Sequence, residues 1–251
     1  MGPIVDWCAA QDAAAHLFVD RLDERCVVEG PHGHHLQRVR RLRRGEAVTA
    51  ADGSGAWRSY DVAHVAPGRL DLVATSPVCT EPALSPRVTI AIALTKGGLD
   101  QIVARCTELG VDRVVPVRTR RSVVKWDDTR AEVAVAKLRV VAREAAAQSR
   151  RARVPEIAPV AAIAELVGSP GLLVADRSGV PACTLPAPGD EGWTVLVGPE
   201  GGFAADDLDP FGGSVPRLAV GPYVLRADTA PVAAVAALRA LADLPKPATD
   251  V

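Results

Sequence analysis

The chain has 251 residues, of which 48% are hydrophobic and 24% are charged, and its formal net charge is −1. This composition predicts a folded protein of one large or two smaller domains and excludes global disorder. The near-zero charge excludes a whole-molecule field that draws the protein to nucleic acid, so any such contact depends on local basic patches.

The five cysteines are scattered along the chain and include no Cys-x-x-Cys pair. Their odd number and spacing are typical of reduced thiols, not of a disulfide framework or a zinc site. The N-terminus lacks a basic region followed by an apolar run, and the most apolar stretch, APVAAVAALRALADL, is interrupted by Arg239 and Asp243. We therefore expect a cytoplasmic protein with no secretory signal and no membrane span.

The first 75 residues contain short β-branched segments separated by turns. The predicted strands are HLFVD, RCVVEG, RLDLVAT and segments of EAVTAADGSGAWRSYDVAHVA, with turns at Asp52-Gly53 and Pro67-Gly68. This spacing predicts a small β-barrel over residues 1–75, with one helical insertion around GHHLQRVRRLRRG. The proline-rich stretch SPVCTEPALSP, residues 76–86, is the predicted linker.

Residues 87–251 alternate between apolar strands and helices. The predicted strands are RVTIAIAL, VDRVVPVRT, GLLVAD, WTVLVG and PRLAVG. The predicted helices are GGLDQIVARCTELG, DDTRAEVAVAKLRVVAREAAAQSRR, AADDLDPF and TAPVAAVAALRALADL. Near-continuous Val and Leu runs predict an α/β domain with a mostly parallel sheet that is covered on both faces.

The strand WTVLVG is followed by GPEGGF, in which Pro199 and Glu200 stand among glycines. Glycines after a strand are typical of phosphate sites, but Pro199 has no N–H to donate and Glu200 would repel a phosphate. The loop also matches neither common nucleotide-binding fingerprint. Taken alone, it fits a tight structural turn best, and it is compatible with a cationic ligand or one bound by backbone groups.

A second Gly-Pro break follows the next strand, within LAVGPYVLRADTA at residues 218–230. Asp228 or Thr229 could cap the last helix, and Arg226 could be a surface charge. Because both breaks follow successive strands, we expect the two loops at the same edge of the sheet. Ligands of such sheets bind beyond the carboxyl ends of the strands.

The pair LVGPEGGF and LRADTA resembles the signature of the RsmE family, the 16S ribosomal RNA (uracil-N3)-methyltransferases of the SPOUT superfamily. Further similar segments, in the same order, are HHLQRVRRLRRGE, IALTKGGLDQIVARCTELGVDRVVPVRTRRSV and REAAAQSRRARVPEI. The resemblance covers nearly the whole chain. The sequence departs from the family pattern at Asp228, Arg150, Arg40 and His16.

This resemblance implies an N-terminal PUA-like β-barrel that binds RNA and a C-terminal SPOUT methyltransferase domain with a deep trefoil knot. It implies S-adenosylmethionine (SAM) as the cofactor, 16S rRNA or the small ribosomal subunit as the partner, and a homodimer. The implied reaction is methylation of N3 of a uridine. No metal is expected.

The resemblance also implies which residues form the SAM pocket. They are Ala175, Asp176, Val197, Gly198, Pro199, Glu200, Gly201, Gly202, Leu218, Val220, Gly221, Tyr223, Leu225, Arg226, Thr229 and Ala230. On this interpretation the glycines let the backbone approach the cofactor, and Glu200 tolerates a cationic sulfonium. The expected catalytic residues are Arg226, which stabilises charge on a uracil carbonyl, and Asp228, which orients Arg226 or accepts the proton. An acidic helix cap is the simpler role for Asp228.

Two basic stretches are candidate contacts for RNA phosphates, and each also fits a solvated charged face. The candidates are Arg38, Arg40, Arg41, Arg43 and Arg44 in the first stretch, and Arg118, Arg120, Arg121 and Lys125 in the second. Lys96, at a strand end, could contact RNA or the dimer partner, or be structural. His32, His34 and His35 lack Cys, Asp or Glu at ligand spacing, so a polar turn is expected there and not a metal site.

Two alternatives stay open, a SPOUT methyltransferase that acts on another RNA position and a non-catalytic RNA-binding protein on the same scaffold. The intact glycine-rich loops argue against the second. A nucleotide-dependent oxidoreductase is disfavoured because the chain has no Rossmann fingerprint.

Overall fold

The computed structural model describes residues 12–30, 41–186, 188–189, 191–212 and 215–242. Contacts within the chain define two compact units. The first comprises Met1–Ala83 and Arg143–Val154, and the second comprises Leu84–Ala142 and Pro155–Val251.

The first unit contains a six-stranded sheet. Its strands are β1 (Ala15–Phe18), β2 (Arg25–Glu29), β3 (Ala47–Ala51), β4 (Ala56–Ala66), β5 (Arg69–Ala74) and β6 (Cys79–Thr80). The order is β1-β3-β4-β5-β2, with β6 paired to β4. Only β1 and β3 run parallel among these pairs. Strand β6 falls inside the stretch predicted as a linker, since its pairing with β4 continues the sheet past residue 75.

The turn between β3 and β4 shows why the Asp-Gly signal predicts this hairpin. Asp52 Oδ1 accepts hydrogen bonds from the backbone N–H groups of Ser54 at 2.7 Å and of Gly55 and Ala56 at 3.1 Å. Gly53 and Gly55 have φ angles of +87° and +115°, which side chains disfavour. The predicted helical insertion lies largely outside the described residues.

Residues 143–154 complete the first unit, although they follow it by sixty residues in the sequence. Ala152 packs in an apolar cluster with Ala51 and Trp57. Its carbonyl accepts a hydrogen bond from Gly55 N at 3.1 Å, and Val154 N donates to Gly53 O at 3.0 Å.

The second unit contains a seven-stranded sheet in which every pair is parallel. Its strands are β7 (Val88–Ala93), β8 (Arg113–Arg118), β9 (Glu156–Ile157), β10 (Ala161–Ala162), β11 (Leu172–Pro181), β12 (Trp193–Val197) and β13 (Arg217–Ala219). The order is β10-β8-β7-β12-β11-β13, with β9 paired to β8. The predicted mixed α/β fold with a parallel C-terminal sheet is confirmed.

Three α-helices accompany this sheet within the described residues: α1 (Leu99–Glu108), α2 (Asp128–Gln148) and α3 (Ala230–Ala242). The predicted short helix AADDLDPF instead forms two 3-10 turns, Ala205–Asp207 and Asp209–Phe211. Pro210 has no N–H to donate, so a continuous α-helix is disfavoured there. Helix α3 packs on β7, β12 and α1 and buries Ala234, Val235 and Leu238.

Candidate functional site

A cavity of about 1040 Å³ lies beyond the carboxyl ends of the neighbouring strands β7 and β12, and residues of β11 and β13 also line it. Its lining comes entirely from the second unit. This position fits the rule that parallel sheets bind ligands beyond their strand ends. Both Gly-Pro breaks contribute to the lining, as expected from their places after β12 and β13.

Residues 198–207, which we call the pocket loop, form one wall. Strand β12 is buried over its whole length and ends at Val197. The loop then turns tightly, because Gly202 N donates to Pro199 O at 2.8 Å and Gly202 has a φ of +66°. A Cβ on Gly198 would lie 3.0 Å from the ring of Phe203, so a side chain there would press on that ring.

The segment after β13 forms the opposite wall. Leu218 is fully buried, whereas Tyr223 and Val224 are 81% and 75% exposed. The Arg226 carbonyl accepts hydrogen bonds from Thr229 N at 3.0 Å and Ala230 N at 2.9 Å, which starts helix α3. The side chains of Arg226 and Asp228 are therefore presented at the helix start, beside the cavity.

Asp176, within β11, is held by a network of its own. Its Oδ1 accepts hydrogen bonds from Ser178 N at 2.8 Å and Ser178 Oγ at 2.7 Å, and its Oδ2 pairs with Arg217 at 2.5 Å. The Ser178 hydrogen bonds and the Arg217 charge lower the pKa of Asp176, although partial burial opposes the shift. Asp176 is thus an anionic, already partnered group at the cavity.

The structure gathers nearly all the sequence-predicted pocket residues. Of that set, Gly201 and Thr229 do not line the cavity. Asp228 does. Further lining residues that sequence reasoning missed are Thr95, Gly97, Gly98, Arg177, Phe203, Ala204, Leu208, Arg217, Val224 and Ala227.

The end of β7 is the main missed part of the lining. Thr95 Oγ1 donates to Gly97 O at 2.9 Å, and Gly98, with a φ of +80°, precedes helix α1. The Gly-Gly pair after this strand is the signal that could have found it. Lys96, between these residues, is exposed and does not line the cavity.

The predicted RNA contacts fall into two groups. Arg38 and Arg40 lie outside the described residues, while Arg41, Arg43 and Arg44 are exposed in the first unit. In the second unit, Arg118 pairs with Asp128 at 3.1 Å.

Arg120 and Arg121 both contact the pocket loop. Arg120 pairs with Asp206 at 2.6 Å, and Arg121 Nη1 donates to Gly201 O at 2.9 Å. The second basic stretch is therefore partly engaged within the unit and is not a wholly solvated face.

The part of the chain that the structure describes has neither a candidate metal site nor a membrane-spanning helix. Its side chains include no group of three or more His, Cys, Asp or Glu residues placed to hold a metal ion. His32, His34 and His35 lie outside that part. None of its helices combines the length and apolar character needed to cross a bilayer.

Comparisons with known proteins agree with this geometry. The sequence model of an RNA methyltransferase domain matches residues 82–239, and that of an RNA methyltransferase PUA domain matches residues 28–75. A Mycobacterium bovis protein named Ribosomal RNA small subunit methyltransferase E is 31% identical over 240 residues, which cover 90% of this chain and 91% of the relative. The protein of that name from Synechocystis is 34% identical over 229 residues, or 83% of this chain and 70% of the relative.

A solved structure of a protein with the same name, from Neisseria gonorrhoeae and bound to S-adenosyl methionine, has a TM-score of 0.80 to this chain. It is 24% identical and covers 90% of this chain and 97% of the other, and so it supports the fold.

The domain matches define the class of the protein, an RNA methyltransferase domain joined to a PUA domain. The chain belongs to the family of the ribosomal RNA small subunit methyltransferase E. The family predicted from the two Gly-Pro stretches is confirmed.

Proposed function

We propose that the protein transfers the methyl group of SAM to N3 of a uridine in the RNA of the small ribosomal subunit. The observation that carries the proposal is the cavity beyond the ends of β7 and β12, which both Gly-Pro segments line. The family relationship supports the same activity.

The residues around the cavity fit SAM. Gly198 and Gly221 leave backbone accessible, Val197, Leu218 and Leu225 supply apolar surface, and Glu200 and Asp228 supply negative charge. Backbone groups and apolar side chains suit an adenosine, and carboxylates suit a sulfonium cation where a phosphate would be repelled. When bound, SAM supplies an electrophilic methyl group.

The protein's own part in the reaction is to hold the uridine and stabilise the charge that develops as its N3 loses a proton. Arg226 is the proposed residue for this charge, because its exposed side chain lies beside the cavity and has no ion-pair partner among the described residues. Of the other two arginines that line the cavity, Arg217 is already paired with Asp176, and Arg177 lies next to Asp176 on β11 and not at the start of α3. Asp228 orients Arg226 or accepts the proton, and it also accepts a hydrogen bond from the Thr229 hydroxyl at 3.1 Å.

RNA binding is assigned to exposed basic side chains, which contact phosphates, while one nucleotide is presented to the cavity. Arg41, Arg43 and Arg44 are the described candidates in the first unit, with Arg38 and Arg40 beside them in the sequence. Lys96 is a further candidate. We also propose, from the family resemblance, a PUA-like barrel, a trefoil knot in the second unit, a homodimer and a cytoplasmic location.

The decisive experiment is mass mapping of small-subunit rRNA from a deletion strain and from the strain complemented with this gene. We expect one methylated uridine to disappear in the first and return in the second. Loss of a methyl group at a different base would instead establish an enzyme that acts on another RNA position. Unchanged rRNA, together with thermal stabilisation by NAD and not by SAM, would refute the proposed function.

A further inference from the structure

The loop after β8 contains a turn, Thr119–Ser122, that we call the arginine turn. Ser122 N donates to Thr119 O at 3.2 Å, and the two hydroxyl oxygens lie 2.9 Å apart. Ser122 is only 6% exposed, so the turn is fixed at its base. Its two central positions are occupied by Arg120 and Arg121, whose side chains project from it.

Both arginines reach across the end of β7 to the pocket loop, since β7 lies between β8 and β12 in the sheet. Arg121 Nη1 donates to Gly201 O at 2.9 Å. Arg120 contacts the other end of the same loop twice, through an ion pair to Asp206 at 2.6 Å and through its backbone N–H to Asp207 Oδ1 at 3.2 Å.

Asp207 extends this connection into the loop itself. Its Oδ2 accepts a hydrogen bond from Ala204 N at 2.8 Å, and the residue is 6% exposed. Both ends of the segment from Gly201 to Asp207 therefore contact the arginine turn, which follows β8.

We propose that the arginine turn is a positioning element of the cofactor site, with Arg121 fixing the conformation of the Gly201 peptide. This inference rests on the proposed function, because it concerns the same cavity. The wall that it holds contains two successive glycines, Gly201 and Gly202. A Cβ added to Gly202 would meet nothing within 4 Å, and glycine loses more conformational entropy on ordering than other residues. A loop fixed before the ligand arrives does not lose that entropy on binding, so affinity rises.

A role in RNA binding makes a different prediction for the same residues. Arg120, Arg121 and Lys125 all belong to the second basic stretch. If these residues acted only through their positive charge on RNA, removal of any one of them would have a similar effect on function. Lys125 is exposed and makes no ion pair within the described residues. It is therefore the matched control for removal of a positive charge without loss of the contact to Gly201.

The test compares Arg121→Ala, Ser122→Ala and Lys125→Ala with the wild-type full-length protein. Titration calorimetry with SAM in the absence of RNA should show up to about tenfold weaker binding for Arg121→Ala, at the low end of the scale for a lost hydrogen bond to a charged group because the contact is exposed. Ser122→Ala, which keeps every charge but loosens the turn, should weaken SAM binding in the same direction. Lys125→Ala should bind SAM as the wild type does.

Hydrogen exchange of the ligand-free proteins gives a second readout. We expect faster exchange in Arg121→Ala and Ser122→Ala, confined to residues 199–207, with unchanged exchange in β7 and β12 as the check on folding. Wild-type SAM affinity in both variants would overturn the inference, as would unchanged exchange in the pocket loop. A wild-type protein that fails to bind SAM would refute the proposed function, while exchange would still decide whether Arg121 holds the loop.

Discussion

His16 is buried, although histidines are usually found at least partly exposed. It is 8% exposed, its Nε2 lies 3.1 Å from the Arg151 carbonyl, and its Nδ1 lies 2.7 Å from the Thr49 hydroxyl oxygen. A carbonyl only accepts, so Nε2 carries the proton and Nδ1 accepts from Thr49 in the neutral ring. Burial lowers the pKa of His16 from 6.5 to about 4, and the nearby Arg150 charge acts in the same direction.

This shift predicts a loss of stability in mild acid. The unfolded chain takes up a proton near pH 6.5, and the folded chain does so only near pH 4, so the free energy of unfolding falls as the pH falls between these values. Urea unfolding should show that His16 contributes about 2 kcal/mol to the decrease in the free energy of unfolding between about pH 7.5 and pH 5. His16→Gln should flatten that dependence, and His64→Gln, at an exposed position, should not. Equal slopes in wild type and His16→Gln would contradict the assignment.

Arg226 supports a kinetic prediction that follows from its proposed role. Loss of one charge-stabilising donor should lower kcat roughly 100-fold in Arg226→Ala, because that donor acts on the transition state. The Kd for SAM should change much less, since the cavity walls remain. Arg226→Lys keeps the charge and should recover part of the rate. A wild-type kcat in Arg226→Ala would remove this residue from the catalytic proposal.

Arg239 provides a polar anchor between helix α3 and its unit, beside the apolar contacts of that helix. Arg239 donates to Gly110 O through Nε at 3.0 Å and Nη2 at 2.6 Å, and to Pro86 O through Nη1 at 2.6 Å. It also pairs with Asp112, and the two side chains are only 12% and 20% exposed. The arginine that interrupts the most apolar stretch of the sequence is therefore a structural residue.

Removal of this anchor should destabilise the second unit. Arg239→Ala leaves the partly buried Asp112 carboxylate without the positive charge beside it and the Gly110 carbonyl without its guanidinium donors, so we expect a loss of about 3 kcal/mol in the free energy of unfolding by urea. Arg105→Ala, on the exposed face of α1, is the control and should change it by less than about 0.5 kcal/mol. Similar effects of the two substitutions would show that the Arg239 contacts add nothing.

The longer strands and helices were predictable because each has a local cause, whereas the two-residue strands β6, β9 and β10 were not predicted. The site was predictable only in part. The buried run of β12 and the glycines after it mark one wall of the cavity directly. Nothing in the sequence around Arg217 marks it as a cavity residue. It begins β13 and lies beside β11, and the pairing of these two strands shifts register between Ala175 and Val180. The sheet order that brings Thr95 near the pocket loop depends on long-range packing, which strand patterns do not encode.

At the scale of the whole molecule, the first unit is discontinuous in sequence. Residues 143–154 supply Ala152 to the cluster with Ala51 and Trp57, and Ala152 N donates to a Glu81 carboxylate oxygen at 2.5 Å. The same segment supplies the carbonyl that His16 requires. A PUA-like sheet assigned to residues 1–75 from sequence therefore lacks part of what stabilises it.

Fragments should make this dependence measurable. Residues 1–83 alone expose Trp57 and leave the Glu81 carboxylate without the Ala152 N–H. Urea unfolding monitored by tryptophan fluorescence should therefore show a weak or absent cooperative transition. A fusion that joins residues 143–154 to residue 83 through a Gly/Ser linker should restore cooperative unfolding. The same fusion with Ala152→Asp, which places a charge against Trp57, should lose it again. If the 1–83 fragment unfolded with the same midpoint as the fusion, the segment would be attached to the unit without stabilising it.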